Sequence, residues 1–243
     1  MSKIGVLDSG IGGMILLEHL KERYPMQDFL FFADQIHSPY GSKSEDELTE
    51  IVNRNIAWLK MQGAESILFA CNTICALNPS RISKDLPIQR IIEPTCRQLL
   101  EQDVHSILVC ATPFTVKKGI YPEIIHRLLK EVEVESVALP YLCRDVEEMT
   151  DDRLVFEKLK NDLGQYVGKV DAVILGCTHY PAVSHLFKQL FDVPVFDSNG
   201  IELVYSSLGT GNVQYVTTDS AEIFDKQCSK LFQTEIHSIK VEL

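Results

Sequence analysis

The sequence predicts an α/β protein of two similar domains, each built on a parallel sheet. Three observations predict it. Short apolar runs alternate with amphipathic helical stretches along the 243 residues. The strand ends of the first half recur in the second at spacings of 104 to 106 residues. Several of these runs stop at a cluster of polar or nucleophilic side chains, as loops at the C-terminal edge of a parallel sheet do.

In chain order, "KIGVLD" (Lys3 to Asp8) is a short strand ending in Asp-Ser-Gly. "GGMILLEHLKERYP" then has helical spacing until Pro25 stops it. "DFLFFAD" (Asp28 to Asp34) is the second strand, followed by a loop containing "SPYG". "DELTEIVNRNIAWLKMQG" is an amphipathic helix closed by Gly63, "SILFAC" the third strand and "IQRIIEP" (Ile88 to Pro94) the fourth. The order then repeats. "SILVCATP" (Ser106 to Pro113) is a strand, Tyr121 to Val132 helical, and "VEVESVALP" (Val132 to Pro140) a strand. A helix follows from about Asp151 to Val167, then the strands "DAVILGCTHYP" and "VPVFDSN" (Val193 to Asn199). The repeat aligns Asp8 with Thr112, Asp34 with Pro140, Cys71 with Cys177 and Glu93 with Asp197.

Composition narrows the function classes. A net charge of −11 with no basic stripe argues against a nucleic-acid partner. Asp8 interrupts the first apolar run and charged residues follow it, unlike a signal peptide, and no run approaches the length of a membrane span. The expectation is a cytoplasmic protein. Seven cysteines without a framework spacing favour free thiols over disulfides. Cys96, Cys110 and Cys228 read as small buried hydrophobes.

Cys71 and Cys177 are different, because each ends a strand in company: Cys71-Asn72-Thr73 and Cys177-Thr178-His179. Two thiols approaching one cleft from opposite sides have a chemical use. Inverting a carbon centre takes a proton from one face and returns another to the opposite face, which requires one deprotonated and one protonated group. A thiol serves in either state once its surroundings are tuned. His179 lies two residues from Cys177, and Asp8 ends a strand in the half that holds Cys71. Asn72, Thr73, Thr178 and Ser9 offer neutral donors and acceptors for a small acidic ligand. Blander roles remain open: Asp8 as a helix cap, His179 as a structural histidine, Glu147 as a surface carboxylate.

Three rival readings stand beside this one. "DSGIGG" with Asp34 loosely imitates a dinucleotide-binding turn but lacks its glycine spacing. Cys71, Cys75, Cys177 and His179 would make a Cys3His metal set, at loose spacing. A Cys-His nucleophile explains Cys177 and His179 but leaves Cys71-Asn72-Thr73 unused.

"DSGIGG", "PYG", "ACNT" and "GCTHYP", in this order, resemble the glutamate racemases of the aspartate/glutamate racemase superfamily, and the resemblance covers essentially the whole chain. "TPFTVKKGIY" and "YVTTDSAEIF" are similar to further family segments, and the histidine of "GCTHYP" to the glutamate branch. The resemblance implies two similar flavodoxin-like parallel-sheet domains related by a pseudo-twofold axis, with the active site in the cleft between them. The first domain is expected at 1–95 with 206–243, the second at 96–205. It implies a two-base racemisation of glutamate without a cofactor or metal, supplying D-glutamate for peptidoglycan, in a homodimer. Cys71 and Cys177 match the two catalytic thiols, Asp8 and His179 their assisting groups, and Glu147 a further assisting carboxylate. Ser9, Tyr40, Gly41, Asn72, Thr73, Thr112, Thr115 and Thr178 fall on substrate-binding positions, as do Asp8 and His179. Ile74-Cys75, Ala111 and Arg144 depart from the family pattern. Alternatives are racemisation of another small acidic amino acid and a regulatory protein that binds glutamate without inverting it.

Overall fold

A computed structural model describes residues 3–242, so the outermost positions of the expected first domain, 1–2 and 243, lie outside the described residues. The chain divides into two compact units, Met1–Ile91 with Glu202–Leu243, and Ile92–Ile201.

Unit 1 begins with β1 (Lys3–Asp8), α1 (Gly12–Arg23), β2 (Asp28–Ala33), α2 (Glu45–Met61), β3 (Ala64–Phe69), the single turn α3 (Asn72–Cys75) and β4 (Ile88–Arg90). In unit 2, α4 (Ile92–Arg97), β5 (Ser106–Ala111), α5 (Pro113–Lys118), α6 (Ile120–Leu128) and β6 (Glu133–Ala138) come first. They are followed by α7 (Leu142–Glu147), α8 (Asp152–Leu163), β7 (Ala172–Gly176), α9 (Ser184–Leu190) and β8 (Val195–Phe196). The chain then adds β9 (Val213–Thr217), α10 (Ala221–Phe232) and β10 (Ser238–Lys240) to unit 1.

Every strand pairing is parallel. The unit 1 sheet runs β10-β9-β2-β1-β3-β4 and the unit 2 sheet β6-β5-β7-β8. The duplicated part therefore has one order in both sheets: second strand, first, third, fourth. The central strands are buried on both faces: Ile4 to Asp8 and Ala172 to Gly176 are buried throughout, which is why they read as unbroken apolar runs. β6, at a sheet edge, alternates exposed and half-buried residues instead.

The helices follow local rules. Ser44 caps α2 by accepting from the Glu47 N–H, Glu45, Asp46 and Glu47 fill its first turn, and Lys60 lies in its last. Its buried face, Leu48, Ile51, Val52, Asn55, Ile56 and Leu59, has the three-four spacing of a helix laid on a sheet. α8 is capped by Asp151 and buries Val155, Leu159 and Leu163 against the unit 2 core with Leu175, Tyr180 and Phe187. Among the described residues no helix is long and apolar enough to cross a membrane.

The expected fourth strand, Ile88 to Pro94, is shorter than its apolar run. Pairing with β3 stops at Arg90, and from Ile92 the chain turns into α4. Glu93 is thus in a helix, paired with Arg97 and Arg127, and is no strand end. Likewise Val193 to Asn199 pairs only at Val195 and Phe196, because Asp197 accepts from the Asn199 N–H and starts a tight turn. The helix expected from Tyr121 to Val132 ends at Leu128, and α5 precedes it, separated by Gly119 at φ 64°.

Candidate active site

In unit 1 the residues gather beyond β1 and β3. Asp8 closes β1 with its carboxylate fully buried, and Oδ1 accepts from the Gly10 N–H at 2.8 Å. Asp8 does not cap α1; that position belongs to Ile11, whose side chain makes no capping bond. The helix starts so close to the strand that only glycine fits at position 13. A Cβ there would lie 2.7 Å from that of Asp8 and 3.1 Å from that of Ala70. "DSGIGG" is thus a packing signature that seats Asp8.

Cys71 follows β3 in extended conformation and precedes α3, with Ser9 Oγ 3.9 Å from its sulfur. Burial pushes its thiol up to about 12, the charge of Asp8 adds to this, and the backbone N–H groups of Ile74 and Thr73 oppose it. Asn72 and Thr73 are buried beside it. The Cys75 thiol turns away and donates to the Phe69 carbonyl at 3.4 Å, and Arg90 holds the Cys75 and Leu77 carbonyls at 2.8 Å each. Cys75 is therefore placed as a core residue, not as a member of a metal set with Cys71.

Tyr40 and Gly41 lie on the loop after β2. The Tyr40 ring is fully buried and its hydroxyl donates to Asp34 at 2.6 Å. The Asp34 carboxylate also meets Asn55 Nδ2, Thr218 Oγ1 and His37 Nδ1, all within 2.9 Å. This carboxylate is fully buried among four internal partners, so it has no resemblance to an acidic group waiting for a ribose. It anchors the loop that presents Gly41.

In unit 2, Cys177 follows β7. Its sulfur is 3.7 Å from His179 Nδ1, and His179 Nε2 is 2.9 Å from Glu147 Oε1. Sequence spacing pairs Cys177 with His179, and the family resemblance alone adds Glu147; the three lie in one line, with Glu147 supplied by the end of α7. Sequence reasoning missed Cys143 on the same helix, whose sulfur is 3.4 Å from that of Cys177. The signal was a seventh cysteine four residues before Glu147, one helical turn away.

Charge in this cluster is settled by proximity. The hydrogen bond from Cys177 draws the Cys143 thiol down to about 5 against its burial, and His179 assists. Burial alone would lower the His179 pKa, but Cys143 and Glu147 outweigh it and raise the imidazole well above its ordinary value. Thr178 is buried next to Cys177. Thr112 caps α5, and its hydroxyl is 3.0 Å from that of the buried Thr115. Ala111 packs under Gly176, where a Cβ would lie 2.9 Å from the Ala111 methyl and 2.9 Å from the Tyr121 ring. Arg144 is exposed. Cys96, Cys110 and Cys228 are fully buried, as expected of packing residues.

The Asp/Glu/Hydantoin racemase family matches residues 29–204. A glutamate racemase from Aquifex pyrophilus is 34% identical over 204 residues, 81% of this chain and 79% of its own. A crystal structure of a Bacillus anthracis glutamate racemase isoform superposes with a TM-score of 0.92 at 26% identity, over 100% of this chain and 98% of that one. One from Francisella tularensis, solved in complex with D-glutamate, gives 0.88 at 27% identity over 99% and 97%. Two parallel sheets of one strand order, with a cysteine after the third strand of each, thus occur in a chain that belongs to the Asp/Glu/Hydantoin racemase family of isomerases and groups there with the glutamate racemases.

Proposed function

We propose that this protein interconverts L- and D-glutamate by a two-thiol mechanism that uses neither metal nor cofactor. The observation that carries the reading is the matched placement of Cys71 and Cys177, each within two residues of the end of the third strand of its half and each with its own polar neighbours. One thiolate takes the α-proton from one face of the substrate carbon, leaving a planar carbanion conjugated with the carboxylate. The other thiol gives its proton to the opposite face. The first sulfur ends protonated and the second ionised, so the roles are exchanged after each turnover and the reverse reaction uses the same pair.

Cys71 enters as the acid. A thiol near 12 beside the Asp8 carboxylate is protonated at neutral pH. Once it has donated, the Thr73 and Ile74 N–H groups receive the negative sulfur, and Asp8 offers a partner for the returning proton or for the substrate ammonium. On the other side, His179 held by Glu147 is an imidazolium beside Cys177, and its charge favours the thiolate that forms there when Cys177 passes its proton to Cys143, 3.4 Å away. Ser9, Gly41, Asn72, Thr73, Thr112, Thr115 and Thr178 are assigned to holding the two carboxylates and the ammonium group, with Tyr40 positioning Gly41 through Asp34. The D-glutamate formed would serve peptidoglycan assembly in the cytoplasm, in a homodimeric enzyme.

The deciding measurement is incubation of metal-free protein with L-glutamate in D2O, without pyridoxal phosphate, following optical rotation and α-deuterium together. Loss of rotation with deuterium in the product is expected. Folded protein that neither inverts nor exchanges glutamate would overturn the assignment.

A further inference from the structure

Cys143, Cys177 and His179 bring two sulfurs and one imidazole nitrogen within 4.8 Å of one another inside unit 2. We propose that these three atoms form a binding site for a soft divalent cation, with Zn2+ as the type, and that the bound cation blocks racemisation by occupying Cys177.

The geometry fits such an ion. Tetrahedral Zn2+, with Zn–S about 2.3 Å and Zn–N about 2.0 Å, sets its sulfurs about 3.8 Å apart and sulfur and nitrogen about 3.5 Å apart. Here the sulfurs are 3.4 Å apart and Cys177 Sγ is 3.7 Å from His179 Nδ1. A few tenths of an ångström of side-chain movement closes both differences. The imidazole is already oriented. Glu147 takes Nε2 at 2.9 Å, which leaves Nδ1 toward the sulfurs, the carboxylate-backed arrangement of metal-binding histidines. Cys143 is only partly buried, so the site has an approach from solvent.

Ligation balances simply. Each sulfur that is still protonated releases its proton on binding, and two thiolates neutralise a divalent cation. Three protein ligands leave the fourth position for water or a carboxylate. Among the described residues unit 1 has no counterpart, because Cys71 has Ser9 beside it rather than a second thiol, and the Cys75 thiol is turned to a carbonyl. Cys143 therefore decides the site: without it, two ligands remain.

The binding stands on this geometry alone, whereas the inhibition rests on the racemase reading. Metal-free protein is titrated with Co2+, watching for near-ultraviolet thiolate-to-cobalt charge transfer and the visible bands of tetrahedral cobalt, then with Zn2+ to displace it. One equivalent is expected, with affinity at least tenfold weaker in both Cys143→Val and Cys143→Ser and unchanged in Cys75→Ala, circular dichroism verifying the fold of each. No thiolate–cobalt band in the parent protein, or equal affinity in folded Cys143 variants, overturns the site. Zn2+ at the filling concentration should abolish racemisation and a chelator should restore it. Full turnover with Zn2+ bound overturns the inhibition, and metal-free protein without turnover overturns the racemase reading while leaving the binding result intact.

Discussion

The two cysteines occupy the same place in two sheets of the same strand order, yet their surroundings are opposite in character. Cys71 has a buried carboxylate, a hydroxyl and two backbone N–H groups, and its proton is held tightly. Cys177 has a second thiol, an imidazole and a glutamate, and the cluster carries opposed charges at contact distance. A duplicated scaffold fixes where a thiol stands; the side chains contributed by neighbouring loops fix what it does. For a reaction needing one acid and one base at once, unequal environments are an advantage, since two identical sites would prefer the same protonation state.

The strongest way to break this comparison is to remove each thiol in turn. Cys71→Ser and Cys177→Ser are each expected to lower racemisation by about a thousandfold or more, because a hydroxyl is far harder to ionise than a thiol. Thermal unfolding should change little, since each swap replaces one small atom. Racemisation followed by circular dichroism decides it, and near-normal turnover in either variant would remove the two-thiol mechanism.

Changing the assisting carboxylates separates the two environments. Glu147→Gln removes the charge behind His179 and should lower the imidazole pKa and cut turnover by roughly ten- to a hundredfold. Asp8→Asn retains an oxygen for the Gly10 N–H but removes the negative charge next to Cys71. The sign follows directly: with the like charge gone the thiolate costs less, so the Cys71 pKa falls, by roughly a unit or more. Iodoacetamide labelling of Cys71 against pH should shift its midpoint downward in Asp8→Asn and stay put in Glu147→Gln. Equal shifts in both variants would mean that the two environments are not independent.

Backbone approach offers a comparison of smaller size. Gly13→Ala drives a methyl against Asp8 and Ala70, while Gly176→Ala drives one against Ala111, the Tyr121 ring and the Cys110 carbonyl. Each is expected to cost about 1–3 kcal/mol in urea unfolding, as overpacking does. Gly13→Ala should also impair catalysis by displacing Asp8, and an unaffected midpoint in either variant would refute the close-approach reading.

Much of this was legible before any coordinates. Buried parallel strands have no polar face, so β1, β3, β5 and β7 stand out as apolar runs, and the first polar residues after them mark the C-terminal edge of each sheet, the edge where open parallel sheets bind ligands in general. Cys71, Cys177, Asp8 and His179 are found in that way. The failures have physical causes too. The run Ile88 to Pro94 hides a strand end and a helix start, because both bury isoleucine and periodicity cannot divide so short a stretch. Cys143 shares a helical turn with Glu147, but its contact with Cys177 is hard to read, because that partner is 34 residues away and α8 and β7 must first bring the two together.

The smallest expected effect concerns Cys75, one of the departures from the family pattern. Its sulfur is buried and spends its hydrogen on the Phe69 carbonyl, while Arg90 ties its own carbonyl from the other side. A thiol so placed contributes packing and a weak hydrogen bond, and the carbonyl it serves belongs to the last residue of β3, just ahead of Cys71. Cys75→Ala should cost about 1 kcal/mol of stability and leave racemisation within twofold. A tenfold loss of turnover without loss of stability would show that the residue after Ile74 shapes the pocket itself, and that the asymmetry between the two cysteines extends one helical turn further into unit 1 than the contacts around Cys71 indicate.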